Sequence, residues 1–211
     1  MHNYFFFSCL FITSFFTFSQ NVNIDQKVFL ITLDGLRWQE LFRGADSLLI
    51  KNQNYVKDPE KLYKWAWREK PHERRRKLMP FIWDKVIEIG QIYGNRNLGS
   101  NVNLSNRMWF SYPGYNEILT GRADDKNITS NDKIPNPNQT VLEQFAKTYN
   151  PFKVGAFGSW DVFDYIINQE RSGVYTNCGF EKSNDLPLSS KEILLNELQS
   201  QIPSPWSNVR L

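Results

Sequence analysis

The sequence predicts an α/β domain with a central, mostly parallel sheet, and three patterns carry that prediction. Val28-Phe29-Leu30-Ile31-Thr32-Leu33 is near-continuously apolar and rich in β-branched residues, as in a strand buried on both faces of a sheet. That run stops at Asp34-Gly35, which puts a carboxylate at the carboxyl end of a strand, where open α/β sheets carry ligand chemistry. From Thr140 onward, helix-like and strand-like stretches alternate as they do in βαβ units.

With 211 residues, 41% of them hydrophobic and 15% aromatic, the chain can bury one sizeable core and suits one domain or part of one. Its formal charge of +3, from 25 basic and 22 acidic residues, is a mixed surface without the broad footprint of a nucleic-acid binder. The apolar N-terminus, running from Tyr4 to Phe18, is interrupted by Ser and Thr and falls short of the ~20 residues of a bilayer span. Thr17 and Ser19 give it a small-x-small cleavage pattern. Residues 1–19 are therefore expected to be a signal peptide and the mature chain secreted or periplasmic, with no stable membrane anchor. Cys9 lies in that segment, so the mature chain keeps Cys178 alone and forms no internal disulfide.

After the first strand, residues 46–70 mix Tyr55, Tyr63, Trp65 and Trp67 with charges and read as a loop followed by a short helix. Leu78, Phe81, Ile82 and Val86 recur at helical spacing, with the basic run Arg74-Arg75-Arg76-Lys77 in front as a solvated helix face. Residues 90–94 read as a short strand. An Asn/Gly/Ser-rich loop then leads to a strand ending Trp109-Phe110-Ser111. A helix follows through Pro113, Thr140–Thr148 is amphipathic, Phe152–Phe157 is a strand, and Asp161–Ile167 is a helix with Asp161 as its N-cap. Gly173–Cys178 reads as a further strand, and Ser189–Gln201 as a helix with Ser189 and Glu192 spaced as a capping box. Asn103, Asn127 and Asn138 each begin an Asn-x-Ser/Thr sequon, which chance supplies readily in Asn-rich loops.

Ser111 is the central candidate. A chain that stops at Ser, turns through Pro-Gly and becomes a helix leaves the hydroxyl at a helix mouth, where backbone N–H groups and the dipole favour an anion such as phosphate. A serine hydroxyl needs a base or a metal to become a nucleophile. The only histidines are His2 and His72, so a Ser-His-Asp arrangement would rest on His72 beside a basic run, and Ser111 lacks a Gly-x-Ser-x-Gly elbow. Metal activation leads, with Asp34 as an oxygen ligand and Ser111 coordinating while it attacks phosphorus. The structural alternatives are a strand-end turn aspartate and a helix N-cap serine.

Val28-Phe-Leu-Ile-Thr-Leu-Asp34-Gly-Leu-Arg-Trp38, taken with Phe110-Ser111-Tyr-Pro-Gly-Tyr-Asn-Glu-Ile-Leu-Thr120-Gly121, resembles the alkaline phosphatase superfamily. The likeness is nearest its nucleotide pyrophosphatase and type I phosphodiesterase branch and its secreted phosphoglyceromutase-like bacterial proteins. It runs from about Lys27 to the C-terminus and includes Gly155-Ala-Phe-Gly-Ser-Trp-Asp161. The resemblance implies an α/β sandwich with a pair of zinc ions at the nucleophile. It makes Asp34 the first metal ligand, Ser111 both nucleophile and ligand, and Asn131 the donor to a phosphoryl oxygen, with Asn127 as fallback.

In that family the remaining ligands, an Asp followed closely by His, an Asp-His pair and a later His, lie downstream of the matched region. This chain offers no usable His there, and Gly114-Tyr115 stands where the family has Asn-His. The expectation is an N-terminal portion of such a domain, spanning residues 24–211 and carrying the nucleophile half of the site. The implied activity is metal-dependent hydrolysis of small phosphate monoesters or diesters through a phosphoseryl intermediate. The alternatives are a non-catalytic phosphate-binding domain and phosphoglyceromutase-type phosphate transfer.

Overall fold

Half of the α-helices among the described residues begin at a side chain that accepts one of the helix's own free N–H groups. The computed structural model describes residues 27–149, 152–183 and 186–202. The signal peptide expected at residues 1–19 and Cys9 lie outside the described residues. The chain divides into two units, residues 1–31 and 32–211.

In the first unit Val28, Phe29, Leu30 and Ile31 are exposed and belong to no strand. Leu33, in the second, is also exposed. The strand expected over residues 28–33 is therefore not formed in this structure. A run of β-branched residues becomes a strand only when a neighbour accepts its backbone groups and covers its faces. Among the described residues one ladder exists, and it lies elsewhere.

In the second unit, α1 (Trp38–Arg43), α2 (Ser47–Ile50), α3 (Pro59–Ala66) and α4 (Pro71–Leu78) are short. Asp46 accepts the Leu48 N–H to start α2, Asp58 accepts the Lys61 N–H to start α3, and proline opens both α3 and α4. The single helix expected from Leu78 is interrupted, because Pro80 has no N–H and disfavours helical backbone at Met79, which sits at φ −134°, ψ 66°. A π-helical turn at Ile82–Val86 and α5 (Ile87–Ile89) follow.

The basic run departs from a purely solvated face. Arg74 stacks on Trp67 and donates to the carbonyls of Arg43, Arg68 and Glu69, while Arg75 lies over Trp83 at 3.7 Å and donates to the Phe42 carbonyl. Gly44 makes this possible: a Cβ there would stand 2.4 Å from the Arg74 backbone. A small apolar cluster of Ala45, Ile50 and Ala66 sits beneath α2 and α3.

The main core gathers around α6 (Ser111–Thr120). Tyr112, Tyr115 and Leu119 of α6 pack with Ile128, Val162, Ile166, Ile167 and Val174. Burying each Ile of this set contributes roughly 1.5–3 kcal/mol. Around it lie α7 (Val141–Thr148), β1 (Gly155–Gly158), α8 (Phe163–Ile167), α9 (Gln169–Ser172), β2 (Tyr175–Cys178) and α10 (Ser190–Gln201). β1 and β2 are parallel, with Gly155 opposite Tyr175 and Gly158 opposite Cys178, and α8 and α9 form their crossover. This is a mixed α/β arrangement with a two-stranded parallel sheet.

Thr140 caps α7 by accepting the Glu143 N–H, and Ser189 with Glu192 forms the expected capping box of α10. Three local expectations change. Residues 90–94 and 108–110 form no strand, and Val162 rather than Asp161 is the N-cap of α8, the Asp161 carboxylate being paired with Lys133. Cys178 is free and buried, and burial pushes its thiol up to about 12. No helix among the described residues is long and apolar enough to cross a membrane.

Candidate functional site

The start of α6 holds the residues that the sequence singles out. Ser111 is the first helical residue and not the N-cap; Phe110 takes that place in extended backbone and makes no side-chain cap. Trp109, just before it, has φ 56°, the left-handed region that non-glycine residues rarely occupy. The helix ends at Gly121, whose φ of 74° closes it with an N–H bonded to the Glu117 carbonyl.

The N–H groups at this mouth are mostly spent. Tyr112 N–H donates to Asn131 Oδ1 at 3.0 Å, Pro113 has none, and Gly114 N–H donates to the Phe110 carbonyl at 3.3 Å. The Ser111 N–H has no acceptor among the described residues. The anion-attracting group is thus narrower than a full helix terminus: one backbone N–H, the Ser111 hydroxyl and the Asn131 carboxamide.

Asn131 is fixed from its oxygen side. With Oδ1 occupied by the Tyr112 N–H, its Nδ2 is left as the donor, on an exposed side chain beside the half-buried Ser111. The loop bearing it is tied to the same helix, because Tyr112 Oη donates to the Ile134 carbonyl at 2.7 Å. Asn127, the fallback, is spent on Asp124: its Nδ2 donates to both carboxylate oxygens at 3.0 Å. A cavity of about 50 Å³ lined by Tyr112, Asn127, Thr129, Ser130 and Asp132, but not by Asn131, is too small to hold a substrate.

The charge of Asp34 bears on α6 only through the phenol of Tyr115, one turn beyond Ser111. Burial pushes the Tyr115 phenol up, a hydrogen bond with the Thr32 side chain opposes that shift, and the Asp34 charge adds to it. Asp34 itself is exposed, in the turn that Gly35 completes with φ 74°. Ser111 opens α6 and Asn131 bonds to the residue that follows it, whereas no hydrogen bond among the described residues joins Asp34 to either. His72 is not: it sits exposed on α4 beside Glu73.

Among the described residues no group of three or more His, Cys, Asp or Glu side chains is placed to hold a metal ion. Asp34 and Ser111 offer oxygen donors only, short of the four ligands of a zinc centre. The described residues do not complete a metal site. Two carboxylates absent from the sequence reading are prominent here. Glu117 and Asp125 bind the segment leading to Ser111, and nothing in their spacing from Ser111 announces it.

No family model, curated protein or solved structure matches this chain. The mixed α/β fold and the grouping at α6 therefore stand on their own chemistry.

Proposed function

We propose that this chain carries the nucleophile half of a metal-dependent phosphoric ester hydrolase site, on an alkaline-phosphatase-like α/β sandwich, in a secreted or periplasmic protein. The substrate is a small phosphate monoester or diester. Ser111 Oγ attacks phosphorus, the bond to the leaving alcohol breaks, and water then releases phosphate from Ser111. The Ser111 N–H and Asn131 Nδ2 face the phosphoryl oxygens and stabilise the charge that develops there. A divalent ion, zinc by the resemblance, is the proposed cofactor and would lower the pKa of a hydroxyl bound to it. Asp34 and Ser111 would be two of its oxygen ligands, and further ligands would come from outside the described residues.

The observation that carries this reading is the hydrogen bond from Tyr112 N–H to Asn131 Oδ1. It ties Asn131 to the residue after Ser111 by its oxygen, which leaves Nδ2 as a donor, just as the Ser111 N–H is left one among the described residues. The test is hydrolysis of para-nitrophenyl phosphate and of its diester by the full-length protein with added zinc, with phosphoserine mapped to the Ser111 peptide. Turnover that survives Ser111→Ala sinks the nucleophile assignment. Phosphate binding without turnover points instead to a binding domain, and product formed without free phosphate to an isomerase.

A further inference from the structure

The segment that delivers Ser111 to its helix is held in an unusual way. Residues 105–108 belong to no strand, yet each backbone N–H among them is accepted by a side chain. Glu117 accepts from Ser105 N–H at 2.6 Å and Oγ at 2.7 Å, and from Asn106 N–H and Nδ2 at 2.9 Å. Asp125 Oδ2 accepts from Arg107 N–H at 3.0 Å, and Asn106 Oδ1 from Met108 N–H at 3.4 Å. These are the donors that a neighbouring strand would otherwise take.

We infer that Glu117 is a positioning residue for Ser111, its carboxylate clamping Ser105 and Asn106 against α6 so that the chain enters the helix with one geometry. The inference rests on the proposed role of Ser111. Glu117 and Ser111 share one helix, and the clamped residues precede Ser111 by only six and five positions. The clamp therefore closes a loop with Ser111 inside it. Four residues, Arg107 to Phe110, link the clamped pair to the helix; Asp125 holds the Arg107 N–H, and Trp109 is in the left-handed region. A strained residue persists only where its surroundings over-determine it. Without the clamp Trp109 is free to relax, and the Phe110–Ser111 backbone that aims the hydroxyl turns with it. The hydrogen bonds also hold the carboxyl ionised: burial pushes it up, but the donors from Ser105 and Asn106 outweigh this and bring it down to about 2.

Asn131 does not depend on the clamp. It is held by the Tyr112 N–H, and its loop by the Tyr112 hydroxyl. Substrate binding and hydroxyl alignment should therefore separate. Glu117→Gln offers one acceptor oxygen and turns an amide against donors, while Glu117→Asp keeps the charge on a shorter stem. In the full-length protein, Glu117→Gln should lower kcat on the order of tenfold to a hundredfold with KM little changed, and Glu117→Asp should recover part of the loss. Hydrogen exchange of the Ser105–Met108 amides should quicken in Glu117→Gln while α10 and β2 keep their wild-type rates.

Unchanged exchange at residues 105–108 overturns the clamp itself. Faster exchange with unchanged kcat and KM, while Ser111→Ala abolishes turnover, overturns the positioning role and leaves the proposed function standing. Absence of turnover in the wild type, or full turnover in Ser111→Ala, removes that function and the positioning role with it.

Discussion

Asn131 Oδ1 accepts the Tyr112 backbone N–H at 3.0 Å, so a side chain nineteen residues downstream does for α6 what an N-cap does for most helices. The bond has two ends with separable effects. Its oxygen satisfies a helix donor, and the position of that oxygen decides where the amide nitrogen points.

Asn131→Asp and Asn131→Ala should therefore part company. Aspartate keeps an acceptor at the helix N-terminus, where negative charge is favoured, so stability should stay near wild type. It replaces the Nδ2 donor with an oxygen, so affinity for inorganic phosphate should fall. Alanine loses both, with a stability loss of about 0.5–2 kcal/mol. Urea unfolding and calorimetric phosphate titration of both variants check this. Undiminished phosphate binding in Asn131→Asp would remove Asn131 from the phosphoryl site.

The buried Glu143 makes a second pair on which the fold depends. Arg171 Nε reaches both carboxylate oxygens at 3.2 Å and its terminal nitrogen reaches Oε2 at 2.7 Å, while the same guanidinium donates to the carbonyls of Asn136 and Asn138. Arg171→Ala leaves a buried carboxylate with Lys147 alone and strips those carbonyls of a donor. The expected loss is about 3–5 kcal/mol. Lys147→Ala removes an exposed partner and should cost far less. Denaturant midpoints of the two variants check the order, and equal losses would contradict it.

What was legible in the sequence follows from how local each signal is. Thr140, Ser189 and Glu192 announce α7 and α10 because capping is decided within four residues. β1 and β2 were visible as short apolar stretches bounded by turn residues, with boundaries off by a few positions. Val28–Leu33 misled because its apolar character states only that it suits a covered position, and the cover is not in the sequence around it. Ser111, Asp34 and Asn131 are singled out by residue order and resemblance; of these the structure puts Ser111 at the start of α6 and bonds Asn131 to the residue after it. Glu117 and Asp125 were missed because their acceptors serve backbone N–H groups, which look alike in every residue. Arg74 and Arg75 were read as surface charge, since a run of letters does not reveal which guanidinium lies over Trp67 or Trp83.

Acid should unfold this protein through a small set of carboxylates. Burial pushes Glu117 up but its donors bring it to about 2; Arg171 lowers Glu143 against burial, Asn138 and Asn127 lower Asp124, and Ser189 lowers Glu192. Each group binds fewer protons folded than unfolded. For Glu117 the contribution is complete above the ordinary Glu value of 4.5 and is lost as pH falls toward about 2, and the other three lose theirs as pH falls through their own lowered values. Melting temperature should be nearly flat between about pH 5 and 7 and drop steadily below. A melting temperature that rises on acidification past that range would contradict the assignment.

Trp109 offers the sharpest test of strain beside Ser111. Its φ is 56° and its side chain is 96% exposed, so the indole contributes little burial to set against an unfavourable backbone. For an L-residue the left-handed region costs roughly 1–2 kcal/mol, and glycine escapes that at an entropic cost of roughly 0.5–1 kcal/mol in the unfolded chain. Trp109→Gly should accordingly stabilise the protein by up to about 1 kcal/mol. Trp109→Ala removes the same ring but keeps the Cβ, so it should give no gain. The pair isolates backbone strain from ring contacts, and urea midpoints decide it. If glycine destabilises as much as alanine, the ring makes contacts in solution that its exposure does not show, and strain is not what the Glu117 clamp holds.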